Sequence, residues 1–436
     1  MRMADNPPGL TSNLSVILRA RALLPISAPP IENGAVVIYG DRIVAADAWG
    51  RIPRQLTSAN AATVLDLGDV VLLPGLVNAH CHLDYTDMAG FWPSPKKFTD
   101  WIPWMLAAKA EWSYSNYARS WLNGAKMLLH SGTTTVADIE AAPELLPDVW
   151  ESTPLRVFSF LEMTSVRSKR EPAEILEEAL KKIDSLAHRR CAAALSPHAP
   201  YSTSGELLRL CARAAWKKNI PTAVHVAESR QEFEMFAHAR GEMFDWLKKN
   251  GRNNSDCGLG TPVQHLDRAG LTNGSFIAIH ANYLDDCDFD LLAKRRVSVV
   301  HCPRSHEYFQ HETFPLEKLR AANVNVCLGT DSLATVAKNG KDSLELNLFS
   351  EMQAFSRSNP GFAPETTLKM ATVNSARALD LAGKIGELSS CAYADLIAIP
   401  FAGNISDACE ATLNFHGRVN ASMIAGQWAI APEQAQ

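Results

Sequence analysis

Apolar residues along this chain fall into two rhythms. At 15–24, 35–46 and 63–73, short β-rich runs are broken by turn signals such as Asn33-Gly34 and Gly40-Asp41. From Val71 the pattern changes to apolar runs at 71–78, 133–138, 155–161, 191–196, 221–226, 275–280, 296–301 and 325–329. Between several of these lie amphipathic helical stretches such as 171–189 and 204–219. Eight near-continuous apolar strands over about 300 residues predict an α/β fold, a (β/α)8 TIM barrel whose parallel sheet is buried on both faces. The chain regains β-character at 394–400 and 421–430. A small β-sandwich domain built from both termini is therefore expected, from residues 1–72 and 385–436, around a barrel over 73–384.

Composition narrows the function classes. The 436 residues are enough for a large barrel and a smaller domain. Forty-two basic against 47 acidic residues leave a net charge of −5, which gives no reason to expect nucleic acid or an anionic membrane as a partner. No apolar run reaches the roughly 18 residues of a membrane-spanning helix. The opening MRMADNPPGLTSNLS lacks the charged-then-apolar order of a signal peptide. Nine dispersed cysteines without a CxxC pair read as reduced thiols in a cytoplasm.

Barrel enzymes carry their chemistry at the C-terminal ends of the strands. Here those ends are polar: His80 and His82 in NAHCHLDY, His198 in SPHAPYS, His225 and Glu228 in HVAES, His280 in IHANYL, His301 and His306 in HCPRSHEYF, and Asp331 in LGTDS. Alternate strand residues share a face, so His80 and His82 point together while Cys81 points away. A lone histidine at a strand end is usually a packing residue. Six strand ends carrying His, Glu or Asp at one level suggest ligands for a borderline divalent metal, because buried imidazoles without partners are costly.

PGLVNAHCHLDY followed in order by HVAE, IHANY and LGTDS resembles the amidohydrolase superfamily, in its cytosolic deaminase and chlorohydrolase branch. The segment 374–398 resembles that family's return from barrel to β-domain. The resemblance implies one divalent metal, Zn²⁺ first with Fe²⁺ or Mn²⁺ as alternatives, held by His80, His82, His225 and Asp331. No lysine stands where a carbamylated bridge between two metals would. It implies Glu228 as the proton-transferring glutamate, His280 orienting the attacking water, Asp331 as the candidate base, and His198 contacting substrate. A small-molecule substrate is expected, and a homodimer is compatible with the branch. Relatives often carry an NPxSN-like segment after strand 7, where this chain has Cys302 for the first Asn and His306 for the last. That Pro-Arg-Ser-His form resembles deaminases of 6-amino-6-deoxyfutalosine, a nucleoside bearing a benzoate, which places Arg304 and His306 at the substrate.

The expected activity is thus hydrolytic deamination of an aminated purine nucleoside of the aminodeoxyfutalosine, S-adenosylhomocysteine or adenosine type. Two alternatives stand beside it. One is a triazine, chloro- or cyclic-amide hydrolase using the same metal centre. The other is an inactive barrel serving as a binding protein, against which the complete ligand set argues. The tryptophan-rich segment 91–105 either roofs the pocket or packs a long loop.

Overall fold

The structure is a computed structural model and describes residues 15–57, 62–166, 168–338 and 344–433. The opening segment read for a signal peptide lies, but for Ser15, outside the described residues. Eight parallel strands follow one another around the barrel: β6 (Leu76–Cys81), β7 (Thr133–Glu140), β8 (Arg156–Met163), β9 (Ala192–Pro197), β10 (Thr222–Val226), β11 (Phe276–His280), β12 (Ser298–His301) and β13 (Asn325–Leu328). A parallel bridge between Cys81 and Asp331 joins the last strand end to the first. The other sheet is mixed. It runs β16 (Gln427–Ile430), β15 (Ala421–Ile424), β14 (Leu396–Pro400), β5 (Val70–Pro74), β1 (Ser15–Leu23), β2 (Ile31–Tyr39) and β3 (Arg42–Ala48). It branches at β1, whose first half also pairs with β4 (Ala62–Asp66).

The apolar run expected at 71–78 as one barrel strand is two strands. Val70–Pro74 belongs to the mixed sheet, and the barrel begins at Leu76. Gly75 is the pivot. Its N–H donates to the Asp395 carbonyl at 3.0 Å, and a Cβ there would lie 2.1 Å from Thr134 Oγ1, so only glycine lets the chain change sheets at this point. An apolar run reads the same whichever sheet receives it, which is why periodicity alone missed the break.

The two bodies are clamped by a buried ion pair. Arg156, at the start of β8, donates from Nε to Asp395 Oδ2 at 2.5 Å and from Nη2 to Oδ1 at 3.2 Å, with both side chains at most 2% exposed. The guanidinium also lies 3.9 Å from the Tyr393 ring centroid, and Asp395 Oδ1 accepts from the Ala425 N–H. Inside the barrel, Val77, Ala79, Ala137, Ile139, Phe158, Phe160, Ile277, Ile279 and Val300 form one apolar cluster. Among the described residues, no helix is long and apolar enough to cross a membrane.

Candidate active site

The apolar filling gives way to polar side chains at the C-terminal strand ends, and local backbone irregularity re-aims them. Along β6, Asn78 pairs with Val136 and Cys81 with Asp138, three steps on one strand against two on its neighbour. The extra residue is a bulge. It shifts the alternation so that Ala79 lies in the inner cluster while His80 and His82 face the site and Cys81 packs outward. Ala227, His280, Ala281 and Asp331 all have positive φ, between 50° and 72°. Left-handed backbone at non-glycine residues is strained and concentrates at functional sites. Here it turns Glu228, His280 and Asp331 out of strand register and into the pocket.

The expected ligands converge. Ligand atoms of His80, His82 and Asp331 lie within 4.8 Å of one another, and so do those of His80, His225 and His280. His82 Nε2 and His225 Nε2 are 3.2 Å apart, and His80 Nε2 and His82 Nε2 lie 3.5 and 3.7 Å from Asp331 Oδ1. His225 Nδ1 faces the His198 carbonyl at 3.1 Å, which fixes the tautomer and leaves Nε2 as a bare lone pair. Burial pushes His82 and His280 down to about 3, and His225 well below the usual imidazole range. The rings are therefore neutral and able to ligate. Among the described residues both ring nitrogens of His80 and Nδ1 of His82 are buried without a hydrogen-bond partner. Burial disfavours the Asp331 charge, yet the imidazoles of His80, His280 and His82 around it hold its carboxyl well below the usual range. Ser305 Oγ donates to Asp331 Oδ2 at 2.7 Å, and the Ser332 N–H donates to Oδ1 at 2.8 Å. Neutral nitrogen lone pairs around one oriented carboxylate, with unpartnered nitrogens among them, fit a divalent cation.

Around this centre lies a cavity of about 250 Å³. Glu228 and His280 line it, with Glu228 Oε1 3.5 Å from His280 Nε2. Burial first, then the neighbouring Asp331 and Glu232 carboxylates, raise Glu228 well above the ordinary glutamate range, which favours its protonated form. His198 lines the cavity too, 2.6 Å through Nδ1 from Ser202 Oγ. The second half of the tryptophan-rich segment lies in a helix, Phe98–Glu111, whose Trp101, Ile102, Met105, Leu106 and Lys109 form one wall, while Trp92 before it packs beside Tyr85 and Met88. This is the roofing alternative, carried by a helix rather than a loop.

Two sequence expectations do not fit this geometry. Arg304 is not at the pocket. Its Nε donates to Glu351 Oε1 at 2.5 Å, and both Nη groups donate to the Glu345 carbonyl at 3.1 Å. The fork expected to grip a substrate carboxylate is already used to brace the segment after β12. His306 lies behind the pocket wall, with Nδ1 3.2 Å from Asn282 Oδ1, so it has no direct contact with the space a substrate would fill.

Sequence reading missed Glu162 and Lys109. Glu162 stands inside β8, one residue beyond the expected strand end, so a carboxylate at a barrel mouth went uncounted. Burial opposes its charge, but Lys109, 3.4 Å away, and His198 and His82 hold its pKa down to about 2. Its other oxygen lies 3.9 Å from His198 Nε2. Lys109 carried no signal in the sequence, because it reaches the site from a helix face.

The model of the amidohydrolase family matches residues 71–429. The 5-methylthioadenosine/S-adenosylhomocysteine deaminase of Syntrophobacter fumaroxidans is 31% identical over 398 residues, covering 85% of this chain and 80% of that one. Two solved structures share the fold. An adenosine deaminase from Xanthomonas campestris with bound zinc superposes with a TM-score of 0.80 at 24% identity, covering 96% of this chain and 93% of its own. The Helicobacter pylori aminofutalosine deaminase in complex with methylthio-coformycin gives 0.84 at 20% identity, covering 94% and 99%. With a barrel closed at Asp331, a histidine-rich centre on its strand ends and a family match running through both sheets, the chain belongs to the amidohydrolase family.

Proposed function

We propose that the protein is a metal-dependent hydrolytic deaminase of adenine-type nucleosides that releases ammonia, with Zn²⁺ as the resident ion. The observation that carries this reading is Glu228, a buried carboxyl 3.5 Å from His280 that lines the same cavity as the histidines and whose burial favours the protonated form. Simple amide cleavage has no ring nitrogen to protonate. Deamination of an aminated heterocycle does, and it needs an acid at that place. The name of the Syntrophobacter relative, a deaminase of adenine-containing thioethers, supports the same substrate class.

His80, His82, His225 and Asp331 would hold the ion, which when bound acts as a Lewis acid that acidifies water to a pKa of roughly 7. Asp331, kept ionised by its imidazole neighbours, takes a proton from the attacking water. Glu228 gives its proton to the ring nitrogen next to the amino-bearing carbon as that carbon gains the new C–O bond. His280 orients the oxygen. The C–N bond then breaks, and the leaving nitrogen departs as ammonia with the protons passed through these carboxylates. His198 contacts the ring, the Phe98–Glu111 helix excludes water, and the ionised Glu162 accepts from a donor group on the substrate. Among the described residues, the cation lining the pocket is Lys109, already paired with Glu162. That favours nucleosides with a neutral side arm over carboxylated ones.

The test is ammonia release from adenosine, 5′-deoxyadenosine, 5′-methylthioadenosine, S-adenosylhomocysteine, a carboxylated adenine nucleoside, guanine and a chlorotriazine. Turnover of the adenine nucleosides is expected. Preference for the triazine or guanine, with the adenine compounds inert, overturns the reading.

A further inference from the structure

Glu228 leaves β10 through Ala227, whose φ is 51°, and its peptide groups are held on both sides. The Glu228 N–H donates to Glu232 Oε2 at 2.9 Å, and the Glu228 carbonyl accepts from Asn282 Nδ2 at 2.9 Å. Asn282 itself follows the left-handed pair His280 and Ala281, and its N–H donates to the Ala227 carbonyl at 2.9 Å. One asparagine therefore staples the turn that presents Glu228 to the turn that presents His280.

A carboxamide is nearly symmetric in shape but not in chemistry, since one end donates and the other accepts. Only one orientation can bond the Glu228 carbonyl. The opposite one would set two oxygens against each other. The carbonyl, which can only accept, thus sets the orientation, and the far end of the amide is left facing His306, whose Nδ1 lies 3.2 Å from Asn282 Oδ1. His306 is fixed in turn. Its N–H donates to the Cys302 carbonyl at 2.9 Å, and its ring packs edge-on against His301 and His311, with centroids 5.2 and 5.3 Å away. Oδ1 can only accept, so a His306 proton on Nδ1 makes this contact a hydrogen bond that anchors the amide from its far side.

We propose that His306 is a positioning residue: by donating to Asn282 it anchors the amide that holds the Glu228 turn against His280. The proposal rests on the deaminase reading for its kinetic test but not for its structural one. His306→Leu removes the donor at similar bulk, and His306→Asn places an N–H near the former Nδ1. His306→Leu is expected to lower kcat on the best adenine nucleoside roughly 10- to 100-fold, the scale of a displaced catalytic group. KM and metal content should stay within about twofold, and His306→Asn should recover most of the loss. In a Glu228→Gln background, His306→Leu should cost little more, because the two act as one unit. An equal loss in both backgrounds, loss of metal, or an unchanged kcat overturns the proposal. A crystal structure of His306→Leu tests it without turnover. An Asn282 side chain displaced from its place between the two turns, with Glu228 drawn away from His280, is expected, and an unmoved Glu228 overturns it. Failure of the wild type to deaminate any adenine nucleoside would instead count against the deaminase reading, with this structural arm still deciding the role of His306.

Discussion

Two buried polar groupings sit at opposite ends of the barrel strands, and they are built to opposite rules. At the start of β8, Arg156 and Asp395 satisfy one another bidentately, with Tyr393 and the Ala425 N–H completing the shell. At the strand ends, His80, His82, Tyr85 and Trp101 keep buried polar atoms without partners among the described residues, and the backbone around them is left-handed at several non-glycine positions. Stability alone favours the first arrangement, because an unpartnered buried polar group costs about 1–3 kcal/mol. The second persists only where something outside the chain completes it. The contrast separates a structural clamp from a reactive centre more sharply than burial, which is nearly the same in both.

The largest expected effect comes from breaking the incomplete end. His82→Ala should remove both bound metal and turnover, with little effect on the folded state at 25 °C. Elemental analysis of protein purified without added metal should find about one divalent ion in the wild type and well under half an equivalent in the variant. Glu228→Gln should keep the ion but lower kcat at least about 100-fold, because the amide keeps the shape and cannot deliver a proton. Asp331→Asn should be at least as damaging, and metal content measured beside kcat separates its two duties.

Breaking the complete end should have the reverse signature. Arg156→Ala leaves Asp395 buried without its cation and should destabilise the fold by about 3–5 kcal/mol in denaturant unfolding, with metal content per folded molecule unchanged. The smallest effect is expected at Arg304. Arg304→Ala should change kcat/KM for carboxylated and uncarboxylated nucleosides by the same small factor, since its bonds go to Glu351 and Glu345. A selective loss on the carboxylated substrate would show a guanidinium that reaches the ligand after all.

Much of this was legible in the chain. The barrel followed from eight apolar runs, and the converging ligands from histidines and an aspartate at strand ends. What stayed hidden has identifiable causes. The run 71–78 is continuously apolar across Gly75, and hydrophobicity does not record which sheet a strand joins. Arg304 looked available because sequence does not show Glu351, 47 residues on, buried and waiting for it. Glu162 was lost to a strand boundary drawn two residues early. Lys109 reaches the site from a helix face and leaves no local pattern, whereas His306 was marked by the Pro-Arg-Ser-His segment but faces Asn282 rather than the cavity.

The bridge between Cys81 and Asp331 also has a temporal meaning. The proposed ligand set gathers residues from the first and last barrel strands, separated by some 250 positions, so a nascent chain exposes His80 and His82 long before Asp331 is made. A ribosome-bound intermediate would offer only part of the coordination sphere, and a full-affinity site appears only once the seam has shut. With the proposed ligands, metal uptake would then be a late event in the life of the chain, and the ion would tie the two ends of the barrel together like a clasp. Loss of the ion should show first as faster amide hydrogen exchange along β6 and β13, ahead of any change in the strands on the far side.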